Sequence, residues 1–165
     1  INLSIRSLVD VRTADHVIEL VRAHHVEPRD VVVEVTESAL TTDVGHTLEN
    51  LARLRMKGFG LSIDDYGTGY SSMQQLIRIA FTELKIDQSF VANASRQESA
   101  RVILEASLGM ARKLNICSVA EGVETQADWD MLRQLDCHTV QGYLIARPMP
   151  SEEYLDWVKD WNRSI

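Results

Sequence analysis

Short apolar, β-branched runs alternate along this chain with longer stretches in which apolar residues recur every three or four positions. A short continuous apolar run fits a buried strand, and recurrence at i, i+3 and i+4 fits a half-buried helix. The pattern predicts strands over Ile1–Ile5, Val31–Val35, Gly60–Asp64, Glu83–Asp87, Ile116–Ala120 and Thr139–Leu144. Between them it predicts helices over Ala14–His24, Val44–Lys57, Ser72–Arg78, Arg96–Leu114, Gln126–Leu135 and Ser151–Asn162. Gly58 supplies a stop after Lys57, and Ser151 ahead of Glu152 and Glu153 supplies an N-cap with acids in the first turn.

Repeated strand–helix units imply a parallel sheet, either open and doubly wound or closed into a barrel. Acids, amides and a lysine stand at the C-terminal ends of nearly every predicted strand. A barrel gathers such ends at one mouth, whereas a doubly wound sheet concentrates them at a single switch point. The expected fold is therefore an α/β, (β/α)8 TIM-type barrel. The pattern supplies about six βα units where a full barrel needs eight, so residues 1–165 are expected to form one incomplete barrel domain.

Composition narrows the function. The chain has 165 residues, 45% of them hydrophobic, which is enough for a core. Its net charge of −7 argues against broad affinity for DNA or RNA, which needs basic residues to displace counterions. An acidic surface holds a phosphodiester only through a bridging cation. No apolar run is long enough to span a bilayer, so no membrane contact is expected from this segment. Cys117 and Cys137 lie in apolar segments and read as buried free thiols in a reducing cytoplasm rather than as a disulfide.

The candidate chemistry sits in Asn2-Leu3-Ser4, Glu34-Val35-Thr36-Glu37, Asp64 through Ser72, Leu84-Lys85-Ile86-Asp87, Ala120 through Glu124, and Gln141-Gly142-Tyr143. Asp64-Asp65 alone fits a solvated loop or a helix cap, but acids from four strand ends meeting in one mouth would need divalent cations to offset their repulsion. Oxygen-only donors favour Mg²⁺ or Mn²⁺ over zinc. Gly67 and Gly69 permit a tight turn. Lys85 is either a strand lysine snorkelling to solvent or a buried ammonium at the mouth. Gln141 is either a core amide or a site residue. The five histidines fall away from the strand ends, and His138 reads as the start of a strand rather than a metal ligand.

In this order these segments resemble the EAL domain of bacterial cyclic di-GMP phosphodiesterases, from residue 1 to about Pro150. The resemblance implies hydrolysis of cyclic di-GMP to linear pGpG by a two-metal mechanism with Mg²⁺ or Mn²⁺. It implies Asn2, Glu34, Asp64, Asp65 and Glu121 as metal ligands. Lys85 would position the attacking water, Glu121 would help deprotonate it, and Gln141 would hold it. Glu37 would anchor the Gly67–Ser72 loop, which in the family couples metal binding to homodimer contacts, and Glu124 would buttress the site. Regulatory domains fused to the EAL domain are also implied.

Two departures qualify the resemblance. Tyr66 stands where the family usually has Phe. The Glu-Ala-Leu segment, which in the family brings a further metal-binding glutamate on an earlier strand, is absent. The chain is thus expected to be an N-terminally truncated EAL domain with little activity by itself. The competing reading is a degenerate EAL domain that binds cyclic di-GMP as a receptor, although every ligand position visible in the sequence is intact.

Overall fold

The computed structural model describes residues 1–40, 44–67 and 77–164. Helix α1 (Ile5–Val9) and α2 (Thr13–Ala23) precede strand β1 (Val32–Thr36). Then follow α3 (Val44–Met56), β2 (Gly60–Tyr66), β3 (Glu83–Ile86), α4 (Gln88–Asn93), α5 (Glu98–Leu114), β4 (Cys117–Ala120), α6 (Gln126–Gln134), β5 (Thr139–Val140) and α7 (Ser151–Ser164). Short 3-10 turns occupy Pro28–Asp30 and Glu37–Leu40. No helix among the described residues is long and apolar enough to cross a membrane.

All strands pair in parallel, in the order β1-β2-β3-β4-β5. A doubly wound sheet reverses its strand order at a switch point, whereas here each strand lies beside its sequence neighbour. This is the progression of a TIM-type barrel, and the described strands form an open arc of one.

The face of the arc that meets the helices is apolar. Val33, Val35, Leu61, Ile63, Leu84 and Ile86 are buried with Leu51 and Leu54 of α3 and Leu104, Leu108 and Ala111 of α5. Asn50, buried on α3, ties down the α1–α2 connection. Its Nδ2 donates to the carbonyls of Leu8 at 2.8 Å and Asp10 at 3.0 Å, and its Oδ1 accepts from Ala14 N.

Several predicted boundaries are corrected. Ile1–Ile5 is not a strand. Only Asn2 bridges β1, at Glu34, because Ser4 accepts from Ser7 N and starts a helix at Ile5. The strand predicted to Leu144 stops at Val140, since Gly142 lies against the Val123 backbone and the chain turns there. Helix α5 begins at Glu98 rather than Arg96, and the sequence reading missed α4, a six-residue helix capped by Asp87. Of the predicted helix at Ser72–Arg78, residues 72–76 lie outside the described residues.

Candidate active site

The parallel register decides which side chains share a face, because laterally paired residues point the same way. Glu34 pairs with Ser62, Ser62 with Glu83, Lys85 with Val119, and Val119 with Thr139. Stepping by two along each strand places Glu34, Asp64, Lys85, Glu121 and Gln141 on the concave face toward the C-terminal ends. Five strands or strand ends thus present polar residues toward one mouth.

Strand β2 departs from simple alternation. Ile63 pairs with Leu84 and Tyr66 with Ile86, so β2 spends one more residue than β3 over this stretch. The extra residue is a β-bulge at Asp64–Asp65, and Asp65 takes a left-handed conformation (φ 56°). Asp is among the few non-glycine residues that adopt this region readily. The bulge cancels the flip to the opposite face, so adjacent aspartates serve the same site.

The Lys85 ammonium sits at the centre. Its Nζ lies 2.7 Å from Glu121 Oε1, 3.2 Å from Glu34 Oε2 and 3.4 Å from Asp64 Oδ1. The Lys85 side chain is 7% exposed, whereas the Glu34 carboxylate side chain keeps 25% and those of Asp64 and Glu121 keep 19%. Burial by itself would lower the ammonium's pKa, but Glu121, Asp64 and Glu34 more than reverse that and hold it above its ordinary value. Burial pushes the Glu121 carboxyl up; Lys85 offsets part of this, and Asp64 and Asp65 add to it. Burial likewise raises Asp65, helped by the charges of Asp64 and Asp87.

Ligand oxygens of Asp64, Asp65 and Glu121 all lie within 4.8 Å of one another. Three carboxylates so placed form a hard, oxygen-only donor set that fits a divalent cation. Asn2 enters through its backbone bridge to Glu34, with Leu3 N donating to the Glu34 carbonyl at 2.9 Å. Glu37, buried, accepts from Gly67 N at 3.1 Å at the start of the segment it was expected to anchor; residues 68–72 lie outside the described residues.

Gln141 is held by its backbone, donating to the Ala120 carbonyl and accepting from Val123 N, and its side chain is exposed. Glu124 is also exposed and makes no ion pair or side-chain hydrogen bond among the described residues, so the structure does not bring it to the cluster. Two residues near the cluster were given no role in the sequence reading, although Asp87 ends one of its candidate segments. Asp87 adds a carboxylate near Asp65 while its Oδ1 caps α4 by accepting from Ser89 N at 2.9 Å. Ser62, fully buried one register step from Glu34, has an Oγ with no hydrogen-bond partner among the described residues. A lone hydroxyl inside the apolar run Leu61–Ile63 was the available signal. His138 holds the start of β5 to β4, with Nδ1 2.8 Å from Ser118 Oγ.

Comparison with known proteins gives the same reading. The bifunctional diguanylate cyclase/cyclic di-GMP phosphodiesterase MucR of Pseudomonas aeruginosa is 40% identical over 94% of this chain and 23% of its own length. Its phosphodiesterase structure in complex with c-di-GMP superposes with a TM-score of 0.88 at 40% identity, over 93% of this chain and 62% of that one. The cyclic di-GMP phosphodiesterase RocR of the same organism is 38% identical over 87% of this chain and 37% of its own length. Klebsiella pneumoniae BlrP1, solved with manganese and cyclic di-GMP, superposes with a TM-score of 0.83 at 32% identity, over 90% of this chain and 38% of that one. This chain therefore spans well under half the length of the two curated relatives. Residues 1–148 match the EAL domain family, and the chain belongs to it.

Proposed function

We propose that this mouth is the catalytic end of a cyclic di-GMP phosphodiesterase releasing linear pGpG. The observation that carries the reading is the convergence of Glu34, Asp64 and Glu121 on the Lys85 ammonium, with Asp65 turned into the same cluster by the β2 bulge. The site would hold two Mg²⁺ or Mn²⁺ ions through Asn2, Glu34, Asp64, Asp65 and Glu121. Such a pair supplies charge neutralisation for the phosphodiester and lowers the cost of deprotonating the attacking water.

The chain's own residues do the positioning. Lys85, held charged by its carboxylate partners, orients the water or a non-bridging phosphate oxygen. Glu121, with its proton affinity raised by burial, accepts the water's proton. Gln141, at the end of the neighbouring strand, hydrogen-bonds the same water. Glu37 fixes the entry to the Gly67 turn and through it the loop that would meet a second copy of the domain. The domain works in the cytoplasm as part of a longer protein with regulatory domains, in keeping with the share of MucR and RocR that it spans.

The test is turnover of cyclic di-GMP by the full-length protein carrying this domain, with Mn²⁺ or Mg²⁺, read as pGpG by chromatography. Asp64→Asn should abolish the product while leaving the circular dichroism spectrum unchanged. Tight cyclic di-GMP binding in EDTA, with no pGpG when metal is restored, would replace this reading by that of a receptor.

A further inference from the structure

The end of the sheet farthest from the carboxylates carries a second set of polar groups. Strands β4 and β5 begin there, at Cys117 and Thr139, and their other ends lead to Glu121 and Gln141. A cavity of about 550 Å³ opens where the last turns of α5 and α6 reach these strand starts. It is lined by Arg112 of α5, Trp129 and Arg133 of α6, and Asp136, His138 and Val140. Its volume lies within the range of small-molecule sites.

Trp129 and Arg133 stand four residues apart on α6, so the indole and the guanidinium share one face of the helix. Trp129 packs part-buried against the core. Arg133 is exposed and makes no ion pair or side-chain hydrogen bond among the described residues. Arg112 is partly committed, its Nη1 3.3 Å from the Leu135 carbonyl oxygen and 3.4 Å from Asp136 Oδ2. It thereby covers a carbonyl at the end of α6 whose partial negative charge would repel an anion. Asp136, 82% exposed, is well solvated and offsets at most one of the two guanidiniums.

His138 adds a donor whose identity the backbone fixes. Ser118 N donates to His138 Nδ1 at 3.2 Å, and a backbone N–H can only donate, so Nδ1 is the unprotonated nitrogen. The neutral ring therefore carries its proton on Nε2, and that N–H has no partner among the described residues. Ser118 Oγ, 2.8 Å from Nδ1, also accepts from His138 N at 3.1 Å and so helps to hold the ring in place. Cys137 borders the cavity as well, but burial raises its pKa, so it stays a neutral thiol and adds no negative charge. The cavity is thus opposite in sign to the mouth, where Glu34, Asp64, Asp65 and Glu121 surround a single ammonium.

We infer that this cavity binds a mononucleotide, its base against the Trp129 indole and its phosphate monoester on Arg133 and the Nε2–H of His138. The forked guanidinium matches phosphate oxygens in geometry as well as charge. Because the lining is locally positive, the nucleotide needs no bridging cation, in contrast to a phosphodiester at the mouth. Stacking on an indole is open to any base, so AMP and GMP should both be taken.

The test is an amide NMR titration of the folded protein in EDTA with AMP, GMP, guanosine and orthophosphate. EDTA keeps the result independent of the metal-dependent reading of the mouth. AMP and GMP should bind within about fivefold of each other, since stacking tolerates either base. Each should bind at least about tenfold more tightly than guanosine or orthophosphate, because either probe alone leaves half the contacts unmade. The shifted amides should centre on Trp129, Arg133, His138 and Val140. Arg133→Gln, at an exposed position, should weaken both nucleotides by about tenfold through the lost charged hydrogen bonds, with Tm unchanged. Absence of binding by both nucleotides at millimolar concentration would overturn the assignment. So would orthophosphate or guanosine binding as tightly as GMP, shifts centred on Glu34, Asp64 and Glu121, or unchanged affinity in Arg133→Gln.

Discussion

Replacing Lys85 by Met tests whether one ammonium holds the metal-free site together. Met keeps the unbranched stem and its packing but removes the charge, leaving Glu121, Glu34 and Asp64 without the cation now 2.7, 3.2 and 3.4 Å away. Removing one partner of a buried pair typically costs ~3–5 kcal/mol, because the charges left behind stay desolvated. Here the three carboxylate side chains keep 19–25% of their exposure and can protonate, so the lower end, about 3 kcal/mol, is expected. For a chain of this size that lowers Tm by roughly 6–12 °C in EDTA. Divalent cations should then stabilise the variant more than the wild type, because metal no longer competes with the ammonium for the same oxygens. The assay is thermal unfolding in EDTA and across a Mn²⁺ series, with pGpG formation measured beside it in the full-length protein. Turnover should be lost even where the metal-induced rise in Tm is larger than in the wild type. An unchanged Tm in EDTA, or a smaller metal-induced rise in Lys85→Met, would refute the reasoning.

Asp65→Asn should raise the Tm of the metal-free protein at neutral pH, because it removes a carboxylate whose folded-state pKa is raised by burial and by Asp64 and Asp87, while Asn tolerates the same left-handed backbone. A raised carboxyl pKa means that the folded state binds more protons. The penalty therefore appears as pH rises through the interval above the ordinary carboxylate value, and the gap between variant and wild type should close as pH falls below about 4. Gly142→Ala should cost roughly 3 kcal/mol or more in urea unfolding, since its Cβ would fall 2.2 Å from the Val123 carbonyl oxygen and 2.3 Å from its nitrogen, both backbone atoms. Glu37→Ala should cost about 1.5–3 kcal/mol through the lost charged hydrogen bond and speed hydrogen exchange at the Gly67 amide; unchanged exchange there would remove Glu37 as the anchor.

Much of this site was legible because the chemistry lies at the ends of periodic elements. The runs Val32–Thr36, Gly60–Tyr66, Glu83–Ile86 and Cys117–Ala120 are apolar enough to be read as strands, and their order fixes which polar residues become neighbours. What the pattern could not show is local geometry that depends on partners. Nothing in Asp64-Asp65 marks a bulge, because the extra residue exists only relative to β3. Helix α4 is too short for a periodic signal and is announced only by Asp87 acting as its cap. The start at Ile1–Ile5 reads as a strand by composition, yet the Ser4 cap wins and leaves only Asn2 bridging β1. The exposure of Glu124 is equally invisible in sequence, since its neighbour Val123 is fully buried.

The placement of Lys85 links these points to chemistry. An acidic cluster able to take divalent cations must also survive without them, or the domain would come apart each time metal is lost. A lysine in the middle of an apolar strand meets that need: its stem is buried while its charge reaches three carboxylates at once. Unlike a fourth carboxylate or an amide, it offsets their repulsion in the metal-free protein. Cations held by these carboxylates would supply the neutralising charge and would leave the same ammonium free to face a phosphate oxygen or a water. The residue that stabilises the empty mouth is on this argument the one best placed to act in the filled one, and Lys85→Met should separate the two roles by losing turnover while gaining metal-dependent stability.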